Sequence, residues 1–303
     1  MRQPLRTAEQ PHSPPAPGKA PQSQPSPAVR LECMDCLDFL RSLADESVDV
    51  IVTDPAYSGM NQHMQFGHGR IVGHYQSAGN GAEERWFPEF HDDPETYRHF
   101  LTECKRVLRN DRHLYIMFDS YSLLTLGPVV REVLDVKNLI TWDKIAIGMG
   151  HYFRRRHEYI LFATKGHRKL SRRDIPDVWR FRRVHRAGYP TQKPVEVFEA
   201  MLSGSVEPGF VVCDPFVGSG SAAIAALRWG CPFVGSDVSE QAIELTRERT
   251  EAFQATGDDP LQPQSAIEDE NEASFLFSPA ARATVGQGTN PSQGDTPSHS
   301  GEG

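Results

Sequence analysis

Residues 211–221 read Val211-Val-Cys-Asp-Pro-Phe-Val-Gly-Ser-Gly-Ser221, and this stretch decides the fold class. It predicts a short apolar strand, then a turn with two glycines, then an alanine-rich helix. In open α/β sheets such a turn lets the backbone approach a ligand at the carboxyl edge of the sheet, because glycine has no side chain in the way. A Gly-x-Gly turn alone is a weak signal, so the residues around it have to support the interpretation.

A second strand, Pro232 to Ser236, ends in Asp237 and strengthens the prediction. An acidic residue at that position can accept hydrogen bonds from both ribose hydroxyls of an adenosine-containing cofactor. The alternative is an ordinary cap of the helix that follows. The turn has neither the Lys-Ser/Thr pair of a phosphate-binding loop nor a third glycine at dinucleotide spacing, so a phosphate-free adenosine cofactor fits better.

A second motif, Asp54-Pro55-Ala56-Tyr57, follows Val48 to Thr53, a run typical of a buried parallel strand. The Asp54 carboxylate and the Pro55 carbonyl can accept hydrogen bonds from an aromatic amino group and push it towards tetrahedral geometry. Tyr57 can stack on a base that has left the duplex. The alternative is a simple turn after a strand.

Further strand-like and helix-like segments alternate along the chain and predict an α/β domain around a mostly parallel sheet. The predicted strands are Val48 to Thr53, His113 to Phe118, Leu139 to Trp142, Tyr159 to Thr164, Val211 to Cys213 and Phe233 to Ser236. The predicted helices are Pro94 to Arg109, Val195 to Leu202, Ser221 to Trp229 and Glu240 to Phe253.

Composition divides the 303 residues into a folded domain and two tails. Residues 1–28 carry eight prolines, and residues 254–303 combine Gly, Ser, Pro and Gln with an acidic run, so both are predicted to be disordered. The catalytic domain is then residues 29–253. Within it, residues 58–95 are predicted to form a mobile loop, and residues 151–190 a basic insertion.

Charge is distributed unevenly along the chain. The net charge of −8 arises after residue 250, where nine acidic residues face one arginine. Residues 151–190 instead hold twelve Lys or Arg against three acidic residues. Such a segment suits a polyanion such as DNA, and a merely solvated surface is the alternative. The candidate DNA contacts are Arg154, Arg155, Arg156, Arg172, Arg173, Arg182 and Arg183.

Five cysteines, with no secretory signal and no long apolar run, predict a reduced cytoplasmic protein without membrane contact. Cys33 and Cys36 have Cys-x-x-Cys spacing, but no second cysteine pair or tight histidine cluster completes a zinc site. No metal is therefore predicted.

The motifs together resemble those of the site-specific DNA amino-methyltransferases of the β arrangement, in which the catalytic tetrapeptide precedes the cofactor motif. The likeness covers residues 31–253. In chain order its motifs are Asp35-Cys-Leu-Asp38, Val48 to Tyr57, Trp142-Asp-Lys144, Arg156 to Lys165, Pro190-Thr-Gln-Lys-Pro194, Val211 to Ser221 and Asp237. The resemblance implies a Rossmann-like methyltransferase fold with a mostly parallel sheet and S-adenosyl-L-methionine as the cofactor.

The resemblance also implies roles for individual residues. Asp237 would hold the ribose, Asp35 the adenine amino group of the cofactor, and Lys193 would lie near its carboxylate. The implied catalytic residues are Asp54, Pro55 and Tyr57, and the implied cofactor-binding residues are Asp35, Thr191, Lys193, Asp214, Phe216, Gly218, Gly220 and Asp237. Ala56 stands where the family usually has a second proline, and Asp237 where Glu is commoner.

An Asp-headed tetrapeptide in this family usually accompanies adenine, so the expected reaction is N6 methylation of adenine in double-stranded DNA after base flipping. N4 methylation of cytosine stays open, and similar tetrapeptides occur in methylases of RNA bases and protein amides. A nucleic-acid-binding protein that has lost catalysis is a third alternative. The expected setting is the cytoplasm, in association with the nucleoid, and a separate restriction endonuclease is a candidate partner. Monomer and homodimer both stay open.

Overall fold

The computed structural model describes residues 27–55, 93–148, 152–184, 189 and 192–261. Residues 58–92 of the predicted loop lie outside these ranges, as do residues 1–26 and 262–303 of the predicted tails. The strands are β1 (Val29–Cys33), β2 (Val48–Thr53), β3 (Leu108–Phe118), β4 (Asp135–Asp143), β5 (His157–Lys165), β6 (Val178–Arg180), β7 (Val212–Asp214) and β8 (Phe233–Asp237). The helices are α1 (Cys36–Ser42), α2 (Pro94–Val107), α3 (Ser120–Val133), α4 (Val195–Ser203), α5 (Ser221–Arg228) and α6 (Glu240–Thr256).

The eight strands form one sheet in the order β1-β8-β7-β2-β3-β5-β4-β6. Among the described strands, β5 alone runs antiparallel to its neighbours, β3 and β4. Helices cover both faces, and each face has its own apolar core. The predicted α/β fold with a mostly parallel sheet is therefore confirmed.

Strand β2 lies in the middle of this sheet and is buried along its whole length. Val50 and Val52 pack into the core on one face, whereas Val48 and Ile51 pack into the core on the other. Burial on both faces explains why the strand is a continuous β-branched run. Its one acidic residue, Asp49, is buried but paired with two arginines and a backbone amide.

The adjacent strands β7 and β2 form a switch point of the sheet. Helix α5, which follows β7, packs into one core through its alanines, and helix α2 packs into the opposite core through Tyr97 and Phe100. Helices that diverge in this way open a crevice at the carboxyl ends of the two strands, where open α/β sheets bind their ligands. The fold thus brings Asp54, at the head of the catalytic motif, and the glycine turn together at one crevice.

Four elements were not predicted from the sequence: β1, α1, α3 and β6. Helix α3 contains Gly127 and Pro128, which weaken the helical signal, but Asp119 fixes its start. The Asp119 side chain accepts hydrogen bonds from the amides of Tyr121 and Ser122 at 2.7 and 3.1 Å. Helix α6 also runs past the predicted domain boundary at residue 253 and ends at Thr256.

Neither a membrane-spanning helix nor a metal-binding cluster occurs among the described residues. No helix there is long and apolar enough to cross a bilayer. No group of three His, Cys, Asp or Glu side chains in the same ranges could hold a metal ion. All five cysteines are free, and Cys36 is buried whereas Cys33 is exposed.

A buried polar network joins the sheet to the end of α4. His113 Nε2 lies 2.9 Å from the Arg168 carbonyl oxygen, which can only accept, so Nε2 carries the proton and donates. His113 Nδ1 then accepts from the Ser205 hydroxyl at 2.8 Å, and the Ser205 oxygen accepts from Tyr115 at 2.7 Å. All three side chains are satisfied with a neutral imidazole. Burial lowers the pKa of His113, which favours that neutral form.

The chain should lose stability as the pH falls below about 6.5, the ordinary pKa of histidine. In that range the unfolded chain binds a proton at His113 that the folded chain excludes, so the free energy of the unfolded state falls relative to that of the folded state. His113→Gln keeps one donor and one acceptor without titrating. Its free energy of unfolding, measured in urea between pH 7.5 and 5.5, should fall less steeply than that of the parent by up to about 1.4 kcal/mol per pH unit. Equal slopes in the two proteins would contradict this account.

Candidate active site

The carboxyl ends of the parallel strands form one edge of the sheet, and most predicted site residues lie along it. Asp54 follows β2, Asp214 ends β7 and Asp237 ends β8. Asp35 follows β1, caps α1 and accepts a hydrogen bond from the Leu37 amide at 2.8 Å. Tyr57 and Thr191 lie outside the described residues. The edge therefore gathers acidic side chains from four neighbouring strands.

Asp214 connects the two strands of the crevice. Its Oδ1 accepts hydrogen bonds from the Thr53 hydroxyl at 3.0 Å and from the Phe216 amide at 2.9 Å. Burial raises the pKa of Asp214 to about 7, although both hydrogen bonds oppose the rise, and the charges of Asp54 and Asp237 add to it. Asp214 is therefore partly protonated near neutral pH, which limits the negative charge in the crevice.

The glycine turn needs its glycines for two separate reasons. Gly218 and Gly220 have φ values of 52° and 80°, in the left-handed region that favours glycine. A Cβ at Gly220 would also lie 2.7 Å from Cγ2 of Thr246 on α6. Thr246 in turn donates its hydroxyl to the Gly218 carbonyl at 3.1 Å, so α6 braces the turn from behind.

The Asp237 carboxylate accepts hydrogen bonds from two backbone amides and has further lone pairs available. Its Oδ2 accepts from the Gly218 amide at 2.9 Å, and its Oδ1 accepts from the Ser239 amide at 2.9 Å. The cap of α6 is Ser239, not Asp237, so the simpler alternative for Asp237 is wrong. Since a carboxylate offers about four lone-pair sites, two remain for a diol. Burial raises the pKa of Asp237, and the amides of Ser239 and Gly218 oppose the rise.

Arg249 supports the same turn and was not predicted from the sequence. It is almost fully buried and pairs bidentately with Asp259, at 2.8 and 2.6 Å. Its Nη1 also donates to the Ser219 carbonyl at 2.7 Å. The folded body therefore extends to Leu261, beyond the predicted boundary at residue 253. Nothing in the sequence pattern distinguishes Asp259 from the other acids of the predicted tail.

A cluster of charged side chains surrounds Asp54. The Lys193 ammonium group contacts Asp54 and lies 3.9 Å from Oε2 of Glu158. Glu158 Oε1 accepts from Lys144 at 2.9 Å. The Lys193 carbonyl accepts a hydrogen bond from the Ser221 hydroxyl at 2.7 Å, which ties this segment to the first residue of α5. Lys193 thus connects the catalytic motif to the cofactor turn.

The charges in this cluster shift one another's pKa values. Burial raises the pKa of Asp54, while the Lys193 ammonium group opposes the rise. Burial acts in the same direction on Glu158, but Lys193 and Lys144 outweigh it and lower the pKa of that carboxyl. Burial disfavours the charged form of Lys193, but Asp54 and Glu158 outweigh it and raise its pKa. Lys193 therefore stays protonated between two carboxylates.

The predicted role of Lys193 near the cofactor's carboxylate stays a prediction. In the described structure its ammonium group belongs to the Asp54 side of the crevice. Phe216 packs edge-on against Phe100 of α2 at 5.6 Å between ring centroids, which places it at the boundary between the crevice and one core.

The predicted basic segment is divided between two edges of the sheet. Arg154 to Arg156 lie in the connection that leads into β5, and Arg182 and Arg183 follow β6, all on the Asp54 edge. Arg172 and Arg173 lie instead next to the end of α4, where the Ser171 amide donates to the Gly204 carbonyl on the opposite edge. Arg172 is also paired with Asp174 and only 13% exposed.

Two exposed aromatic residues accompany the arginines on the Asp54 edge. Tyr152 and Phe153 are almost fully exposed, directly before Arg154. The base of this connection is fixed, since Arg156 pairs bidentately with Asp143 and the Gly148 amide donates to the Arg155 carbonyl. The Arg155 guanidinium lies over the Tyr121 ring, 4.8 Å from its centroid. The edge therefore combines positive charge with aromatic surface.

Comparison with known proteins identifies the family. A family model described as DNA methylase, of the N6/N4 methyltransferases, matches residues 48–248. The chain belongs to this family. It is a DNA methyltransferase, and the resemblance deduced from its motifs is confirmed. Family membership also confirms the predicted cofactor, S-adenosyl-L-methionine.

The chain matches two curated relatives over most of their length. The type II methyltransferase M.HhaII of Haemophilus parahaemolyticus is 27% identical over 212 residues, which are 68% of this chain and 89% of the relative. The type II methyltransferase M2.DpnII of Streptococcus pneumoniae is 28% identical over 244 residues, which are 73% of this chain and 89% of the relative.

Two solved structures share the fold. The complex of M1.HpyAVI with S-adenosylmethionine has a TM-score of 0.51 at 18% identity, covering 73% of this chain and 99% of that one. The cytosine-N4-specific PvuII DNA methyltransferase has a TM-score of 0.54 at 15% identity, covering 83% of this chain and 95% of that one. At these identities the likeness extends to the fold alone.

The crevice of this DNA methyltransferase fits its cofactor chemically. S-adenosyl-L-methionine carries two positive groups and one negative group, and the cofactor side of the edge offers the carboxylates of Asp35 and Asp237. Arg249, the guanidinium beside the turn, is occupied by Asp259 and backbone. A Cβ at Gly218 would make ordinary van der Waals contact with the Tyr189 ring, at 3.6 Å. This donor and acceptor set suits a phosphate-free cation better than a nucleotide phosphate.

Gly220→Ala should weaken cofactor binding, with Gly257→Ala as its matched control. Both glycines have φ near 80°, but a Cβ at Gly257 meets nothing within 4 Å. The Gly257 variant therefore isolates the backbone strain. Overpacking against Thr246 costs about 1–3 kcal/mol, so Gly220→Ala should bind S-adenosylhomocysteine about tenfold or more weakly in calorimetry. Gly257→Ala should bind as the parent does. Similar affinities in both variants would remove the turn from the cofactor site.

Proposed function

We propose that the chain methylates N6 of adenine in double-stranded DNA and reads its target base after flipping it out of the helix. The observation that carries this proposal is the position of Asp54 at the switch point, one strand away from the cofactor turn. An aspartate at the head of the tetrapeptide favours adenine over cytosine.

The catalytic task is to make an aromatic amino group nucleophilic, because its lone pair is delocalised into the ring. Asp54 and the Pro55 carbonyl would accept its two N–H bonds and favour tetrahedral nitrogen. These hydrogen bonds strengthen as positive charge develops on the nitrogen, so they stabilise the transition state more than the ground state. Tyr57 would stack on the flipped base. Bound S-adenosyl-L-methionine supplies an electrophilic methyl group on its sulfonium.

The cofactor residues follow the order of the strands. Asp237 would accept hydrogen bonds from the ribose hydroxyls through the lone pairs that Gly218 and Ser239 leave open. Asp35, on the neighbouring strand end, would accept from the adenine amino group. Asp214, Phe216, Gly218 and Gly220 would line the methionine portion, with Thr191 near its carboxylate.

DNA would bind across the edge that carries Asp54. The arginines that suit this position are Arg154, Arg155, Arg156, Arg182 and Arg183, and the neighbouring Tyr152 and Phe153 offer rings for stacking on bases. Arg172 and Arg173 fit this role poorly, because they lie at the opposite edge.

The biological role proposed for the chain is based on its curated relatives, which are type II methyltransferases. We infer that this chain likewise protects a specific DNA sequence, with a separate restriction endonuclease as its functional partner.

The proposal is tested by transferring a labelled methyl group from the cofactor in parallel to duplex DNA, RNA and protein, followed by nucleoside analysis. Label in N6-methyladenine from duplex DNA is the expected result. Label in N4-methylcytosine would keep the enzyme and change the base, whereas label confined to RNA or protein would overturn the proposal.

Asp54→Ala should nearly abolish methyl transfer and leave the affinity for S-adenosylhomocysteine within a few fold, because Asp54 contacts the base rather than the cofactor. Tyr57→Ala should be severely impaired, and Tyr57→Phe should retain much activity, since stacking needs the ring and not the hydroxyl. The measurement is a single-turnover rate, so that product release does not mask the chemical step. Parent-like rates in Asp54→Ala would defeat the mechanism.

The divided basic segment predicts an asymmetric salt dependence. Each phosphate contact contributes about 0.9 to the slope of log affinity against log salt. Replacing Arg182 and Arg183 with Ala should therefore lower the slope by about two. Replacing Lys169 and Arg173, which are exposed at the other edge, removes the same charge and should leave the slope unchanged. Equal losses in both double variants would indicate a non-specific charge effect.

A further inference from the structure

Glu158 and Lys144 adjoin the catalytic motif without a role in the proposed chemistry. The four charged groups of this cluster come from four segments: Asp54 after β2, Lys144 after β4, Glu158 in β5 and Lys193 before α4. Lys193 lies between the two carboxylates and is closer to Asp54. Lys144 holds the other oxygen of Glu158 at 2.9 Å.

This arrangement conflicts with the proposed role of Asp54. The Lys193 ammonium group occupies Oδ2 of Asp54, so it competes with the amino group of the target base for that oxygen and weakens the carboxylate as an acceptor. A positive charge at that point would also oppose the charge that develops on the attacking nitrogen. Methyl transfer is therefore favoured when the ammonium group moves away from Asp54 as the base enters. Because a buried charge without a partner is costly, it needs a second carboxylate within reach.

We propose that Glu158 is a positioning residue that takes over the Lys193 ammonium group when the target amino group occupies Asp54. The inference rests on the proposed catalytic role of Asp54. No proton changes place, since Lys193 pairs with a carboxylate in both positions. The charges of the four groups sum to zero before and after the shift.

Lys144 gives the shift its direction. By binding Oε1 it fixes the Glu158 carboxylate and leaves Oε2 facing Lys193. The other charged groups that act on the cluster are Arg155 near Glu158 and the carboxyl groups of Asp119 and Asp214 near Asp54. None of the other groups is both anionic and in contact with Lys193 in the described part of the chain.

Glu158→Gln removes the second position for Lys193 with almost no change in shape. Lys193 would then be held by Asp54 alone, and the single-turnover rate of methyl transfer should fall about tenfold or more. Binding of S-adenosylhomocysteine, measured by calorimetry, should stay within a few fold of the parent and report that the crevice is intact. A parent-like rate in Glu158→Gln would overturn the proposal.

Second substitutions in the Glu158→Gln background separate positioning from simple charge balance. If Glu158 receives Lys193, then adding Lys193→Gln frees Asp54 and should raise the rate several-fold above Glu158→Gln alone. If Glu158 only neutralises Lys144, the rate should instead recover on adding Lys144→Gln. The proposal is overturned if the rate recovers only in the double variant with Lys144→Gln. It is also overturned if neither double variant is faster than Glu158→Gln alone.

A binding measurement without the cofactor gives an independent readout. The probes are two unmethylated duplexes that contain the recognition sequence. In one the target base is mismatched, and in the other an abasic site replaces it. The parent should bind the mismatched duplex more tightly, because Asp54 is released to the base. Glu158→Gln should lose that preference, and a preserved preference would contradict the role of Glu158. Turnover by Asp54→Ala would instead refute the proposed function, whatever Glu158 does.

Discussion

The adjacency of β2 and β7 is the constraint on which the rest of the site depends. The helices that follow them diverge to opposite faces of the sheet, which opens a crevice at the carboxyl ends of the two strands. The hydrogen bond from Thr53 to Asp214 joins the two strands across this crevice. Strands β8 and β1 continue the edge on the cofactor side, and β3 to β6 continue it on the side of the exposed arginines. In the proposed function, the methyl donor and the DNA bind at different halves of this edge.

Electrostatic balance in the crevice follows from that geometry. Parallel strands that end side by side bring Asp54, Asp214 and Asp237 close together, and the charges of Asp54 and Asp237 add to the rise that burial causes in the pKa of Asp214. Lys193 offsets the charge of Asp54, and Lys144 offsets that of the neighbouring Glu158. Partial protonation of Asp214 near neutral pH lowers the negative charge further. A cationic cofactor and a nitrogen that becomes positive both suit such a site. The same balance explains why Lys193 cannot leave Asp54 without another carboxylate to receive it.

Much of this arrangement could be predicted from the sequence because it depends on local patterns. The buried strand β2, the glycine turn and the positions of Asp54 and Asp237 each follow from a few consecutive residues. Contacts between distant segments leave no such pattern, which is why Arg249 with Asp259 and Glu158 with Lys193 were not predicted. The basic segment shows the same limit: its charge density is visible in the sequence, but the reversal of direction in β5 separates Arg172 from Arg182. Helix α3 was missed because Gly127 and Pro128 obscure it.

Single-molecule sequencing of DNA from cells that express the chain reports the modified base and its sequence context together. We expect N6-methyladenine in one fixed sequence context, absent from cells without the chain. Modification of cytosine at N4 would contradict the assignment of adenine. Unmodified DNA in cells that contain the folded protein would contradict the assignment of Asp54 and its neighbours as a working active site.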